Sequence, residues 1–273
     1  MNTSLLILWL LAVGPGQVAD SPPIETKAEA DKASAAARER ATTYVIRLAE
    51  SPDKQVNADN PLKMAPEPVF RWTNHLGRRF YGDIYVWTLD GRPEVVASIT
   101  TIFTDRVSTY TEIQSVSTGR PVLSRDEKIV WEPSAPGVDF QPLPGAPKAA
   151  AAAPARLTQM RALAAQFSLV ADYEKEQTEN LRLLASPIYR YQSAAQGVAD
   201  GALFAFTKGT DPDAFLLIEA RGDQDAPQYH FAFARFNGSC ALRALHKDTA
   251  VWHVDRLASK TISDPRQPYF NFR

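Results

Sequence analysis

"GDIYVWTLDGRPEVVASI" (Gly82–Ile99) and "GALFAFTKGTDPDAFLLIEA" (Gly201–Ala220) are two versions of one hairpin, 119 positions apart. Each opens with a β-branched and aromatic run, Gly82–Thr88 or Gly201–Thr207, that is apolar at successive positions and so predicts a strand buried on both faces. Asp90-Gly91 predicts a tight turn because both residues tolerate positive φ; the second copy turns through the longer "KGTDP", with Gly209 supplying that freedom. Pro93 and Pro212 open the return strands, where a missing N–H costs least.

The likeness extends beyond the hairpin. A gapless match carries Leu62–Tyr110 onto Leu181–Tyr229, with eight identities in 49 positions, among them Arg71/Arg190, Gly82/Gly201 and Tyr110/Tyr229. Conservative pairs such as Phe70/Tyr189, Trp72/Tyr191 and Trp87/Phe206 support it, and Val130-Trp131 falls on Val251-Trp252 after a two-residue slip. We read this as a duplication. Each copy continues through a third strand (Tyr110–Ser117, Tyr229–Phe236) and a short closing hairpin (Val122–Trp131, Ala241–Val254), which predicts an antiparallel meander of about five strands. A helix precedes each meander, with apolar stripes at Ala37, Ala41, Tyr44, Val45 and Leu48, and at Leu157, Met160, Leu163, Ala164 and Phe167. Between the copies, Glu132–Pro154 carries six prolines and five successive alanines and reads as an extended tether. The expected fold is therefore α+β: two tandem helix-plus-meander repeats packed as a pseudo-symmetric body, since a two-sided strand in a half-open sheet needs a second copy to cover it. The expected boundaries are a signal peptide at 1–19, repeat one at 20–131, a linker at 132–154 and repeat two at 155–273.

The 273 residues, 45% hydrophobic, suffice for one large or two small cores, and the formal net charge of −1 disfavours nucleic acid as a partner. At the N-terminus, the apolar run Leu5–Val13 is too short to span a bilayer and ends in Gly14-Pro15-Gly16, the pattern of a secretory signal peptide cut after Ala19. An n-region without Lys or Arg leaves an uncleaved anchor as the alternative. The expected location is exported, periplasmic or extracellular, with no transmembrane span in the mature chain. The single Cys240 cannot form an intramolecular disulfide and reads as a structural thiol.

Chemistry is sparsely written. No phosphate-binding glycine loop, nucleophile elbow, His-Glu-x-x-His or Cys pair occurs. The four histidines, His75, His230, His246 and His253, have no ligand spacing, so neither a metal nor a cofactor is expected. Arg71 and Arg190 occupy matching positions between aromatics ("FRW", "YRY"). They could clamp an anion between the copies, or pair with a carboxylate of the scaffold or stack on their neighbours. Asp83, Glu112 and His230 complete the candidate ligand-binding set, and Asp90, Asp211, Glu219 and Arg221 are further candidates of the same kind as Asp83. The aromatic strands could form a sugar-stacking platform or simply a core.

The stretches "MRALAAQF", "LRLLASPIYRY", "DGALFAFTKGTDP", "LLIEAR", "YGDIYVWTLDGRPEVVASI" and "VWEPSAPGVDFQPLPGAP" resemble a group of uncharacterised secreted proteins of planctomycete-type bacteria, over nearly all the chain from Val69 onward. That resemblance implies export and lends no activity. Where the group has His-Glu-Phe, this chain has Thr111-Glu112-Ile113, so any role of that histidine is lost here and Glu112 remains. The expected function is a non-enzymatic exported protein that binds a small ligand or a cell-envelope macromolecule, or an envelope-associated structural component. The alternative is a secreted hydrolase or other small-molecule enzyme with an Arg/carboxylate site between the repeats.

Overall fold

In the computed structural model, which describes residues 27–49, 60–74, 79–173, 177–222 and 226–273, the two-sided runs become the longest strands. The predicted leader and His75 lie outside these residues. The fold is β-rich α+β, built of antiparallel pairs. In chain order come α1 (Lys27–Thr42), β1 (Val45–Leu48), β2 (Lys63–Met64), β3 (Phe70–Asn74), β4 (Arg79–Leu89), β5 (Arg92–Phe103), β6 (Ser108–Ser115), β7 (Pro121–Arg125), β8 (Lys128–Trp131) and β9 (Gln141–Pro142). Then follow α2 (Ala153–Ala164), β10 (Phe167–Tyr173), β11 (Gln177–Leu183), β12 (Tyr189–Ser193), a 3₁₀ turn (Ala194–Gln196), β13 (Val198–Thr207), β14 (Pro212–Arg221), β15 (Gln228–Arg235), β16 (Ala241–His246), β17 (Thr249–Val254), α3 (Ser259–Ile262) and β18 (Tyr269–Phe272). No helix among the described residues is long and apolar enough to cross a membrane.

Three sheets form. One is β1-β7-β8; a second runs β18-β6-β5-β4-β2, with β3 also on β4; the third runs β17-β16-β10-β11-β13-β14-β15-β9, with β12 also on β13. The Asp90-Gly91 turn closes β4–β5 with φ of 49° and 88°, values that fit these two residue types.

Two expectations need correction. The closing hairpins do not continue the meander: β7 pairs with β1 and β16 with β10, strands that the helical stripes concealed. Both helices stop early because the residues after them favour extended chain. Thr42 and Thr43 turn their hydroxyls onto the Glu39 and Arg40 carbonyls, and the β-branched Val45-Ile46 follows; the buried stripe of α1 is Ala33, Ala37 and Ala41. The gapless register also slips at the third strand: Tyr110 stands opposite Thr100, but His230, not Tyr229, stands opposite Glu219.

The apolar side chains sort into three layers. Ile84, Val86 and Val96 of the second sheet meet Leu203, Ala205, Phe215 and Leu217 of the third in a central core. The opposite face of β4–β6, with Tyr85, Trp87 and Ile99, packs beneath α1 and the small sheet, with Trp131 fully buried. The opposite face of β13–β15, with Phe204, Leu216 and Phe233, packs beneath α2 and the β10–β16–β17 end. Burial of each such side chain contributes roughly 1.5–3 kcal/mol. The proline-rich segment from Glu132 lies down on this body, burying Val138, Leu143 and Ala149 and lending β9 to the edge of β15. At the other end of the chain, β18 adds to the edge of β6.

Candidate functional site

The candidate arginines stand apart, each beside a helix. Arg71 is opposite Asp83 in the β3–β4 ladder, its Nε 3.5 Å from the carboxylate, with the side chain 61% exposed. Ser34 of α1 donates its hydroxyl to the other Asp83 oxygen. Burial raises the Asp83 pKa against the pull of Ser34 and Arg71. Arg190 forks onto Asp200 at 2.7 and 3.0 Å and donates to the Ala153 carbonyl, while Arg156 of α2 binds the same carboxylate at 2.9 Å. The hydrogen bonds to Asp200 hold the Arg190 pKa up. His230 stands opposite both Glu219 and Pro142, its Nδ1 3.2 Å from the Gln228 carbonyl. Of the five candidates, only Arg71 and Asp83 are brought together.

A buried charge network links the halves instead. Arg92 donates to Glu219 (2.8 Å), Glu94 (3.0 Å) and the Pro93 and Val116 carbonyls, and stacks on Phe140 at 5.2 Å. Tyr191 donates to Glu219 (2.7 Å), Arg221 pairs with its other oxygen (3.3 Å), and Gln196 donates to Glu94 and to the Leu89 carbonyl at the hairpin tip. Burial pulls the Arg92 pKa down; Glu94 and then Glu219 outweigh it and raise it. Arg92 and Glu94 were not singled out from the sequence, although charges beside a proline in an otherwise apolar two-sided strand are a readable signal.

A second polar cluster is acidic. Glu112, partly buried, accepts the Tyr269 hydroxyl at 2.7 Å. Its pKa is pushed up to about 7, first by burial and then by Asp211 and Asp213, with the Tyr269 bond opposing. Asp213 accepts from the Lys208 N–H (2.7 Å) and from Asn237 (2.8 Å), yet burial raises its pKa too. Nearby Arg235 spends its donors on the carbonyls of Asn237, Cys240 and Asp255. Burial pushes the Cys240 thiol up to about 11, which suits a structural thiol. Among the described residues, no three His, Cys, Asp or Glu side chains are placed to hold a metal ion.

The concave feature lies elsewhere. A groove of about 830 Å³ runs between the segment 136–144 and the strands β15 and β17, with Pro136, Pro142 and Pro144 on one wall and Phe231, Phe233, Val251 and Trp252 on the other. A smaller pocket of about 210 Å³ shares Gly137, Phe233 and Trp252 with it and is lined further by Gln114, Arg235 and Tyr269. Trp252 stacks on Phe233 (5.3 Å, 22°), and its indole N–H donates to no group among the described residues. Gln114, 2% exposed, donates its amide N–H to the Ser115 carbonyl and leaves its Oε1 without a hydrogen-bond partner. The groove thus joins a planar aromatic wall to a pocket that holds one buried acceptor without a partner. In the sequence Trp252 is one aromatic of a closing strand; its place at a wall depends on chain segments far apart in sequence. Comparison with family models, with curated proteins and with solved structures finds no match to this chain.

Proposed function

We propose that the chain is two copies of one unit packed face to face, and that after export it acts as a non-enzymatic protein that binds a ligand or an envelope partner in the groove beside Trp252. The units are residues 20–131 and 155–273, joined by 132–154, and export is read from residues 1–19. Matching ladders support the duplication: Lys63 opposite Thr88 and Arg182 opposite Thr207, Arg71 opposite Asp83 and Arg190 opposite Ala202, Gly82 opposite Thr100 and Gly201 opposite Glu219. A β-bulge falls at Trp87/Thr88 and again at Phe206/Thr207. The observation that carries the binding reading is the groove itself, walled by aromatics and prolines, with an unused indole donor. The apolar central layer favours it as well, because Arg71, Asp83 and Arg190 are not gathered into a polar cleft.

One observation favours the hydrolase alternative. A carboxyl titrating near 7 is poised for general acid–base work, and Tyr269, its partner, lines the inner pocket. A thermal-shift panel on residues 20–273 separates the two. A ligand at 100 times its Kd raises stability by about 2.7 kcal/mol. The binding reading expects an upward shift that Trp252→Ala abolishes and Glu112→Gln leaves. Turnover of a small ester or glycoside that Glu112→Gln abolishes would establish the enzyme instead.

A further inference from the structure

We infer that the groove beside Trp252 takes an extended, proline-containing peptide segment, an inference that rests on the two-copy reading. The third sheet begins at β17 and ends at β9, and residues of both end strands line the groove. The sheet therefore curls until its two edges face each other across an open seam. β17 has a strand neighbour on one side only.

In the other copy the corresponding seam is filled. There the chain itself, between α3 and β18, lies along the residues that follow β8 and under the Trp131 indole. The Pro265 and Arg266 carbonyls accept the N–H groups of Glu132 (3.0 Å) and Ser134 (2.9 Å), and the Pro268 carbonyl accepts that of Ser115 (2.9 Å). The Gln267 carbonyl accepts the Trp131 indole N–H at 2.8 Å. Trp131 stands opposite Leu123 just as Trp252 stands opposite Ala244, each beside a β-bulge. Trp131 is fully buried; Trp252 is partly exposed, and among the described residues its indole N–H has no acceptor. The difference lies in the connecting segments. Gly137 and Leu257 make equivalent bonds, to the Ser117 and Gly238 carbonyls, but the first chain enters β9 by Gln141, whereas the second travels on to Tyr269. The residues that close one seam have no counterpart in the other.

The occupant of the filled seam defines what the open one fits. It presents successive backbone carbonyls through two prolines, Pro265 exposed and Pro268 partly buried, whose lack of an N–H leaves no donor to be paired along the seam. Pro136, Pro142, Phe231 and Trp252 supply apolar walls, and Trp252 supplies the donor. The free Gln114 Oε1 in the adjoining pocket would accept a peptide N–H. One strand entering here would extend the sheet at β17 and give the buried Gln114 Oε1 the partner it lacks.

The test is titration of ¹⁵N-labelled residues 20–273 with a synthetic peptide copying residues 263–269, read at the Trp252 indole N–H and, so that Trp252→Phe can be followed too, at the backbone N–H groups of Phe233 and Val251. A version with both prolines replaced by alanine, and cellotetraose, serve as comparisons. We expect a saturable downfield shift, weakened about tenfold by Trp252→Phe, which keeps the ring and removes the donor. Pro136→Trp, at an exposed wall position, should block it while the unfolding curve stays unchanged. No shift with the peptide at millimolar concentration, or a shift that Trp252→Phe leaves intact, overturns the inference. If cellotetraose moves the indole and the peptide does not, the binding reading stands and the peptide falls; if neither moves it, both fall.

Discussion

At the scale of single residues, Glu112 is an electrostatic lever that can be read by pH. Its folded-state pKa of about 7 lies above the ordinary carboxylate value, so the unfolded chain releases this proton at lower pH than the native one. The sign follows: the full contribution of the protonated carboxyl to stability is present below the ordinary value and is lost as pH rises through about 7. The amplitude is about 2–3 kcal/mol. Asp83, Asp211 and Asp213, also raised by burial, act in the same direction at lower pH. Urea unfolding at pH 5 and pH 8 should show the wild-type protein weaker at pH 8. Glu112→Gln, which keeps an acceptor for the Tyr269 hydroxyl, should remove most of that difference. An unchanged pH dependence would mean that the carboxylate is better solvated than its surroundings imply. The residue was visible in the sequence as a charge on a strand, but its neighbours were not: Tyr269 and Asp213 reach it from the far end of the chain and from the other hairpin.

At the scale of elements, two glycines explain why both hairpins can carry an aromatic ring across them. A Cβ on Gly82 would sit 2.2 Å from the Trp72 ring, and one on Gly201 would sit 2.3 Å from the Tyr191 ring. In each case the ring fills the absent side chain's space and spends its polar atom on a buried partner, Ser98 for Trp72 and Glu219 for Tyr191. Gly82→Ala should therefore lower stability by about 1–3 kcal/mol through displacement of Trp72. Gly209→Ala, with only an Asp211 oxygen at 3.8 Å, should stay within about 0.5 kcal/mol. Thermal unfolding of the two variants decides it. The strands of these hairpins were legible because β-branched residues and an Asp-Gly turn mark them locally. β1 and β10 were not, because Tyr44, Val45 and Leu48 continue the helical spacing past the point where Thr42 and Thr43 end the helix. The closing hairpins were found, but their partners were exactly those hidden strands, so their sheet could not be assigned.

At the scale of the whole molecule, the halves are joined by an apolar layer and by one buried cation. Arg92 belongs to the first hairpin, and Glu219 and Tyr191 to the second half. Arg92→Met would strand two buried carboxylates, at a cost of about 3–5 kcal/mol. Because the network spans both halves, calorimetry should show the whole unfolding transition move down as one; a split into two transitions would mean that the halves are stable separately. The groove was not legible for a reason of the same scale. Its walls come from Thr118, Pro136–Pro144, Phe231 and Val251, and only the curl of the sheet brings them together. The placement of β18 sets the order in which the protein can be finished. The first half's sheet lacks its edge strand until Tyr269–Phe272, which follow every strand of the second half, arrive to pair with β6. The first half, synthesised early, must wait with an open edge until the whole second half has followed it, so its completion is timed by residues outside its own sequence.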